Sequence, residues 1–194
     1  MTNDNRILVV DDEPDIVELY RSYLSDQYDI RTAEGGEDGL DELDETVDVV
    51  LLDRRMPGLS GDEVVARIRE RRVDTKIIVV TGVEPDMDIL GLEFDEYLVK
   101  PVTEAELKDA IEDMIARAEL EARFREVFRL ASKITTLEDK LDIAELEESE
   151  QYRQLTEEFR ERKEELELPE GDKSYYYEAT MSKLRGVFER TGRA

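Results

Sequence analysis

The chain predicts a doubly wound α/β domain built on a five-stranded parallel sheet, followed by a smaller α-helical domain. Three observations carry that prediction. Short apolar runs recur with room for a helix between them: Ile7 to Val10, Val47 to Leu52, Ile77 to Val80 and Tyr97 to Val99, with a weaker run at Tyr28 to Arg31. Runs this uniformly apolar suit strands covered on both faces, the situation of a parallel sheet rather than of a half-exposed antiparallel one. From Thr103 onward the strand signals stop, and apolar residues recur only at helical spacing.

Each segment between the runs has its own reason to be helical. Pro14, whose ring presets φ and whose missing N–H is no loss in a first turn, opens a pattern of Ile16, Val17, Leu19, Tyr20 and Leu24. Leu40 and Leu43 mark a second helix, and Val64, Val65 and Ile68 a third. Between the last two strands only the stretch from Glu84 to Gly91 is free, and with Pro85 and Gly91 in it the fourth helix is expected to be abbreviated. Thr103 and Glu106 have the spacing of a capping box, and Leu107, Ile111, Met114 and Ala118 follow at alternating four- and three-residue steps.

A seam in a new phase then runs through Leu120, Phe124, Val127, Ala131, Ile134 and Leu141, interrupted by Glu138. The change of phase near Glu119 sets the expected domains, residues 1–118 and 119–194, with the boundary inside what can be one continuous helix. Asp142 and Glu145 suit a further helix start, and Tyr152, Leu155, Phe159 and Leu166 form an apolar stripe through charged sequence. Leu168-Pro169-Glu170-Gly171-Asp172 breaks it, and a last helix is expected from about Ser174 to Arg190.

Composition narrows the function. With 52 Asp and Glu against 27 Lys and Arg, the formal net charge is -25. Most of that excess lies before residue 119, where 32 acidic residues face 13 basic ones. Such a chain repels polyphosphate, so nucleic acid is not expected as a partner. Only 8 of the basic residues are Lys and 19 are Arg, an acid-rich, lysine-poor balance like that of cytoplasmic proteins from salt-loving organisms. The absence of Cys excludes disulfides and thiolate zinc sites, and the absence of His excludes a His general base and most transition-metal sites. No stretch has the length of a membrane span, and Met1 to Arg6 lacks the charged-then-apolar pattern of a leader, so a cytoplasmic location away from membranes is expected.

In doubly wound sheets ligands bind beyond the carboxyl ends of the strands. There the first run delivers Asp11-Asp12-Glu13, the third Asp53, the fourth Thr81-Gly82 and the last Lys100-Pro101. Carboxylates brought together repel unless a cation balances them, and an oxygen-only set suits Mg²⁺, which takes few carboxylates and keeps waters. With that charge balanced, an Asp carboxylate can attack a phosphoryl group and form an acyl phosphate, while Thr81 donates to one phosphoryl oxygen and Lys100 pairs with another. Singly these residues say less. Asp11 and Asp12 alone would be first-turn acids favoured by a helix dipole, Tyr97 a core aromatic and Lys100 a solvated lysine. Gly35, Gly36 and Gly39 lack dinucleotide-loop spacing and belong to a turn and helix start.

Taken in order, Ile7-Leu8-Val9-Val10-Asp11-Asp12-Glu13, Leu51-Leu52-Asp53 with Met56-Pro57-Gly58, Val80-Thr81-Gly82 and Tyr97-Leu98-Val99-Lys100-Pro101 resemble the receiver domain of two-component response regulators over residues 5–118. The resemblance implies a flavodoxin-like receiver fold, with Asp53 as the phosphoacceptor for a sensor histidine kinase. It further implies Mg²⁺ held by Asp11, Asp12, Asp53 and the backbone carbonyl of Arg55, phosphoryl binding by Thr81 and Lys100, a switch pair of Thr81 and Tyr97, and a cis bond before Pro101. Arg54 and Arg55 follow the acceptor at positions where side chains can screen the phosphate from water.

Residues 119–194 resemble the HalX-type domain of haloarchaeal receivers through Leu130-Ala131-Ser132-Lys133, Thr136-Leu137-Glu138 and Ser149-Glu150-Gln151-Tyr152. The expected function is that of a response regulator in a phosphorelay, not a turnover enzyme, which switches a helical output module and forms a homodimer through its C-terminal helices. Two other readings stay open. One is a receiver-linked DNA-binding transcriptional regulator, for which Lys173, Lys183, Arg185, Arg190 and Arg193 supply basic charge but no recognition-helix motif. The other is an Asp-nucleophile phosphohydrolase, which needs an acid-base residue close to the nucleophile where this chain has Arg55.

Overall fold

The structure, a computed structural model, describes residues 5–166. The apolar runs form five strands: β1 (Arg6–Val10), β2 (Asp29–Ala33), β3 (Val49–Leu52), β4 (Lys76–Thr81) and β5 (Glu96–Val99). All are parallel, in the order β2-β1-β3-β4-β5. The chain therefore steps outward from β1 in one direction to β2 and in the other to β3, which makes the carboxyl ends of β1 and β3 the switch point where a cleft opens. The register sets Val10 level with Leu52, so the residues that follow, Asp11 and Asp53, leave the sheet side by side.

Alternation along the strands divides the core. Leu8, Val10, Val50, Leu52, Ile77 and Val79 point to one face and pack with Leu40 of α2 (Gly36–Glu42) and with Val64, Val65 and Ile68 of α3 (Gly61–Arg71). Ile7, Val9, Val49, Leu51, Ile78 and Val80 point to the other, against Tyr20 and Leu24 of α1 (Pro14–Leu24) and Leu107, Ile111 and Met114 of α4 (Glu104–Lys140). Pro14 does open α1, and Thr103 and Glu106 form the expected box: each backbone N–H meets the other's side chain. A second box, Ser60 with Glu63, starts α3; the sequence holds that pair too, yet it was not among the expected caps. The abbreviated fourth helix is a single 3-10 turn, Met87–Gly91.

The chain divides into two compact units, Met1–Ala118 and Glu119–Ala194, and α4 supplies residues to both. In the second, α5 (Ile143–Glu148) and α6 (Glu150–Glu164) follow α4. Phe124 and Val127 pack with Leu166 and Phe159, and Leu130 and Ile134 with Leu155, Leu137 and Tyr152. Glu138, which interrupts the seam, accepts a hydrogen bond from the Tyr152 hydroxyl at 2.8 Å. Burial first, then that carboxylate, pushes the Tyr152 pKa up to about 12. The seam ends earlier than expected. Leu141 lies beyond the last turn of α4 and is exposed, because the chain turns there into the Asp142 cap of α5. The expected break at 168–172, the last helix and its basic residues lie outside the described residues. Among the described residues no helix is long and apolar enough to cross a membrane.

Candidate functional site

The sheet ladder runs one residue past the strands and so places the acidic groups by backbone alone. The Asp11 N–H donates to the Ala33 carbonyl at 3.2 Å, and the Asp53 N–H to the Val10 carbonyl at 2.9 Å. On the other side the Lys100 N–H donates to the Thr81 carbonyl at 2.8 Å, which brings the end of β5 level with that of β4. The Lys100–Pro101 peptide is cis.

The side chains then meet at one cation. Lys100 Nζ lies 2.7 Å from Asp11 Oδ2 and 3.1 Å from Asp53 Oδ1, with Glu13 Oε1 at 4.0 Å. Each carboxylate gives its second oxygen to its own loop: Asp11 Oδ1 accepts from the Glu13 N–H at 3.0 Å and Asp53 Oδ2 from the Arg55 N–H at 2.7 Å. Asp11 and Asp53 are only 2% and 6% exposed, so their charges need partners. Burial by itself would lower the Lys100 pKa; the hydrogen bond to Asp11 and the charges of Asp53 and Asp11 outweigh it and raise the value, so the ammonium stays charged.

The remaining candidates stand around this pair. Asp12 is half-buried next to Asp11 and takes no part in the bonds just described. Thr81 ends β4 fully buried, and its Oγ1 has no hydrogen-bond partner among the described residues. An orphaned buried hydroxyl costs about 1–3 kcal/mol, so a group that it could serve is the natural explanation. Tyr97 packs against Phe94 at a ring distance of 5.6 Å, and its hydroxyl donates to the Val83 carbonyl, two residues after Thr81, at 2.8 Å. Arg55, two residues after Asp53, is exposed; Arg54, next to Asp53, is already paired. It is buried, with Nε and Nη2 on the two oxygens of Asp62 at 2.8 and 3.1 Å and Nη2 also 2.6 Å from Asp88 Oδ2. Its hydrogen bonds to Asp62 first and Asp88 second hold the guanidinium firmly protonated.

The turn after the acceptor is shaped by two glycines. Gly58 takes φ 75°, a left-handed conformation that glycine adopts without strain. Gly61 brings the start of α3 directly onto the acceptor: a Cβ there would lie 2.4 Å from the Asp53 carbonyl oxygen and 2.7 Å from Arg54 Cα. Neither the burial of Arg54 nor this close approach was read from the sequence. The string Gly61-Asp62-Glu63 was the available signal, a glycine and two acids opening a helix eight residues after the acceptor.

The donor set admits a divalent cation. Asp11 and Asp53 against one ammonium leave a buried excess of negative charge, and half-buried Asp12 follows Asp11 in the chain. Among the described residues no three acidic side chains are gathered into a closed metal cage. Mg²⁺ takes one or two carboxylates and fills its remaining places with water and phosphate oxygens.

A buried Asp pair bridged by Lys at the switch point of a five-stranded parallel sheet, with an orphaned Thr on the adjoining strand, is the site this doubly wound α/β domain presents. The chain belongs to the response regulator receiver family, whose model matches residues 7–112, and it carries a HalX domain at residues 116–174. It is 48% identical over 145 residues to a Haloferax volcanii protein named as a candidate transcriptional regulator, a match that covers 74% of this chain and 25% of that one. It is 37% identical to the transcriptional regulatory protein ResD of Bacillus subtilis, over 60% of this chain and 50% of ResD. Among solved structures, the response regulator TrrA of Thermotoga maritima in complex with Mg²⁺ and BeF is 41% identical, with a TM-score of 0.50 over 57% of this chain and 98% of that one. The chain thus spans between a quarter and half of the length of these curated relatives.

Proposed function

We propose that this chain is a phosphorylation-driven switch of a two-component system, which accepts one phosphoryl group on Asp53 from a sensor histidine kinase. The observation that carries the reading is the Lys100 ammonium placed 2.7 Å from Asp11 and 3.1 Å from Asp53 at the switch point of the sheet. An Asp53 carboxylate oxygen forms the new O–P bond as the bond from phosphorus to the donor atom breaks, and the electron pair leaves with the donor. Mg²⁺, when bound, neutralises charge on the carboxylates and the phosphoryl oxygens; Asp11, Asp12, Asp53 and the Arg55 carbonyl are the residues that would hold it. Lys100 pairs with one phosphoryl oxygen, and Thr81 gives its unpartnered hydroxyl to another. Because the Tyr97 hydroxyl is tied to the Val83 carbonyl, a Thr81 segment drawn toward the phosphate moves the anchor of Tyr97 with it. The helical unit from Glu119 onward is the output, acting by self-association or by docking a partner.

Acetyl phosphate with Mg²⁺ should add one phosphoryl group to the intact mass, and Asp53→Asn should abolish the addition. Incorporation that survives this substitution, or that ignores EDTA, would falsify the assignment.

A further inference from the structure

Arg54 is the one buried arginine among the described residues. A guanidinium offers five N–H donors in a rigid fork. Here Asp62, in the first turn of α3, takes two of them in a bidentate pair. Asp88, in the Met87–Gly91 turn, takes a single bond at 2.6 Å. The Tyr97 hydroxyl of β5 donates to the Val83 carbonyl at 2.8 Å. One side chain, next in sequence to Asp53, thus joins α3 to the 3-10 turn.

The two carboxylate contacts are unequal. Asp62 is bidentate and sits in a regular helix that is packed onto the sheet and capped by Ser60. Asp88 makes its contact from a five-residue turn that buries no residue of its own, and its side chain is 57% exposed. Met87 and Leu90 in that turn are 76% and 78% exposed. The turn has little packing to hold it, so its tie to Arg54 decides its position.

We propose that Arg54 is a positioning residue that latches the Met87–Gly91 turn in the unphosphorylated chain and lets it go when Asp53 is loaded. This rests on the reading of Asp53 as phosphoacceptor. A phosphoryl group adds one to two negative charges and three strong acceptor oxygens one residue away from Arg54. Charge-assisted bonds to such oxygens are the stronger ones, and the contact given up for them is the single, half-exposed one to Asp88 rather than the bidentate one to Asp62. Release of Asp88 frees the turn that carries Met87 and Leu90. A charge event at the acceptor thereby becomes a rearranged apolar surface in the place where the short connection leaves no room for a full helix.

Hydrogen exchange over residues 83–92 of the full chain, read by mass spectrometry with and without beryllofluoride and Mg²⁺, tests the latch. In the parent chain, exchange should rise several-fold on loading. Asp88→Asn should exchange before loading as fast as the parent does after it and respond little to loading, while acetyl phosphate still adds one phosphoryl group to its mass. Arg54→Lys, which keeps the charge and loses the fork, should do the same, and Asp88→Glu should restore protection. If Asp88→Asn exchanges like the parent before loading, or if the parent gains phosphoryl mass with no change over 83–92, the latch is wrong and the acceptor survives. If the parent gains no mass, both readings fall.

Discussion

The two units of this chain use the same charged residue types for opposite purposes. In the receiver, Asp11, Asp53 and Arg54 are buried, and each is met by opposite charge at 2.6 to 3.1 Å. In the helical unit, Arg129–Glu126, Arg153–Glu150, Arg160–Glu157 and Arg162–Glu165 lie one turn apart on exposed faces. Charge in the receiver interior is expensive to leave unpaired, so it is retained where chemistry or coupling uses it. Charge on the helices is solvated and contributes only tenths of a kcal/mol per pair. Stability is distributed accordingly: two apolar layers cover both faces of the receiver sheet, whereas among the described residues of the second unit the core consists of two small clusters strung along its helices.

The most severe way to break this contrast is to place a charge in the small clusters. Val127 is fully buried, so Val127→Asp should cost more than about 3 kcal/mol and unfold the helical unit. Circular dichroism should lose helix while acetyl phosphate still modifies Asp53; loss of both together would mean that the two units do not fold separately. Next in size is Gly61→Ala. Its methyl group would press on backbone atoms that cannot rotate away, so about 1–3 kcal/mol of receiver stability and a slower rate of acceptor loading are expected, read by thermal unfolding and by intact mass over time.

Smaller again is Ser60→Ala, which removes the box at the start of α3 and should cost about 1 kcal/mol. The same box predicts a pH dependence. The Ser60 hydroxyl first and its N–H second lower the Glu63 pKa below the ordinary 4.5. The contribution is therefore complete above that value and lost as pH falls through the lowered one. Unfolding midpoints of the parent and Ser60→Ala should converge under acid; a constant gap between them would count against the box. The smallest effect is reserved for Arg160, which pairs with both Glu157 and Glu164 on α6. Arg160→Ala should barely move the unfolding midpoint, and the difference should vanish in molar salt. A larger, salt-resistant loss would show that surface pairs support this unit more than its clusters do.

What the sequence alone determined is local in kind. Four uniformly apolar runs mark strands because burial on both faces permits nothing else, and Pro14 and the pair Thr103 and Glu106 mark helix starts because they satisfy or dispense with first-turn N–H groups. Asp11, Asp53, Thr81 and Lys100 were legible as a group because each directly follows or ends such a run, and strand ends in a parallel sheet share one edge. The tertiary structure alone decided the rest. Arg54 looked like a solvent-facing screen for the phosphate, but it is buried because Asp62 and Asp88, 8 and 34 positions away, come to meet it, and no local pattern encodes a partner that distant. Leu141 continued the seam on paper and lies exposed because the helix ends one residue before it. The choice between the two oxygens of each buried carboxylate, one for its own loop and one for Lys100, likewise belongs to the packed molecule. Local chemistry names the groups that a strand delivers, but only the assembled sheet brings them within hydrogen-bonding distance.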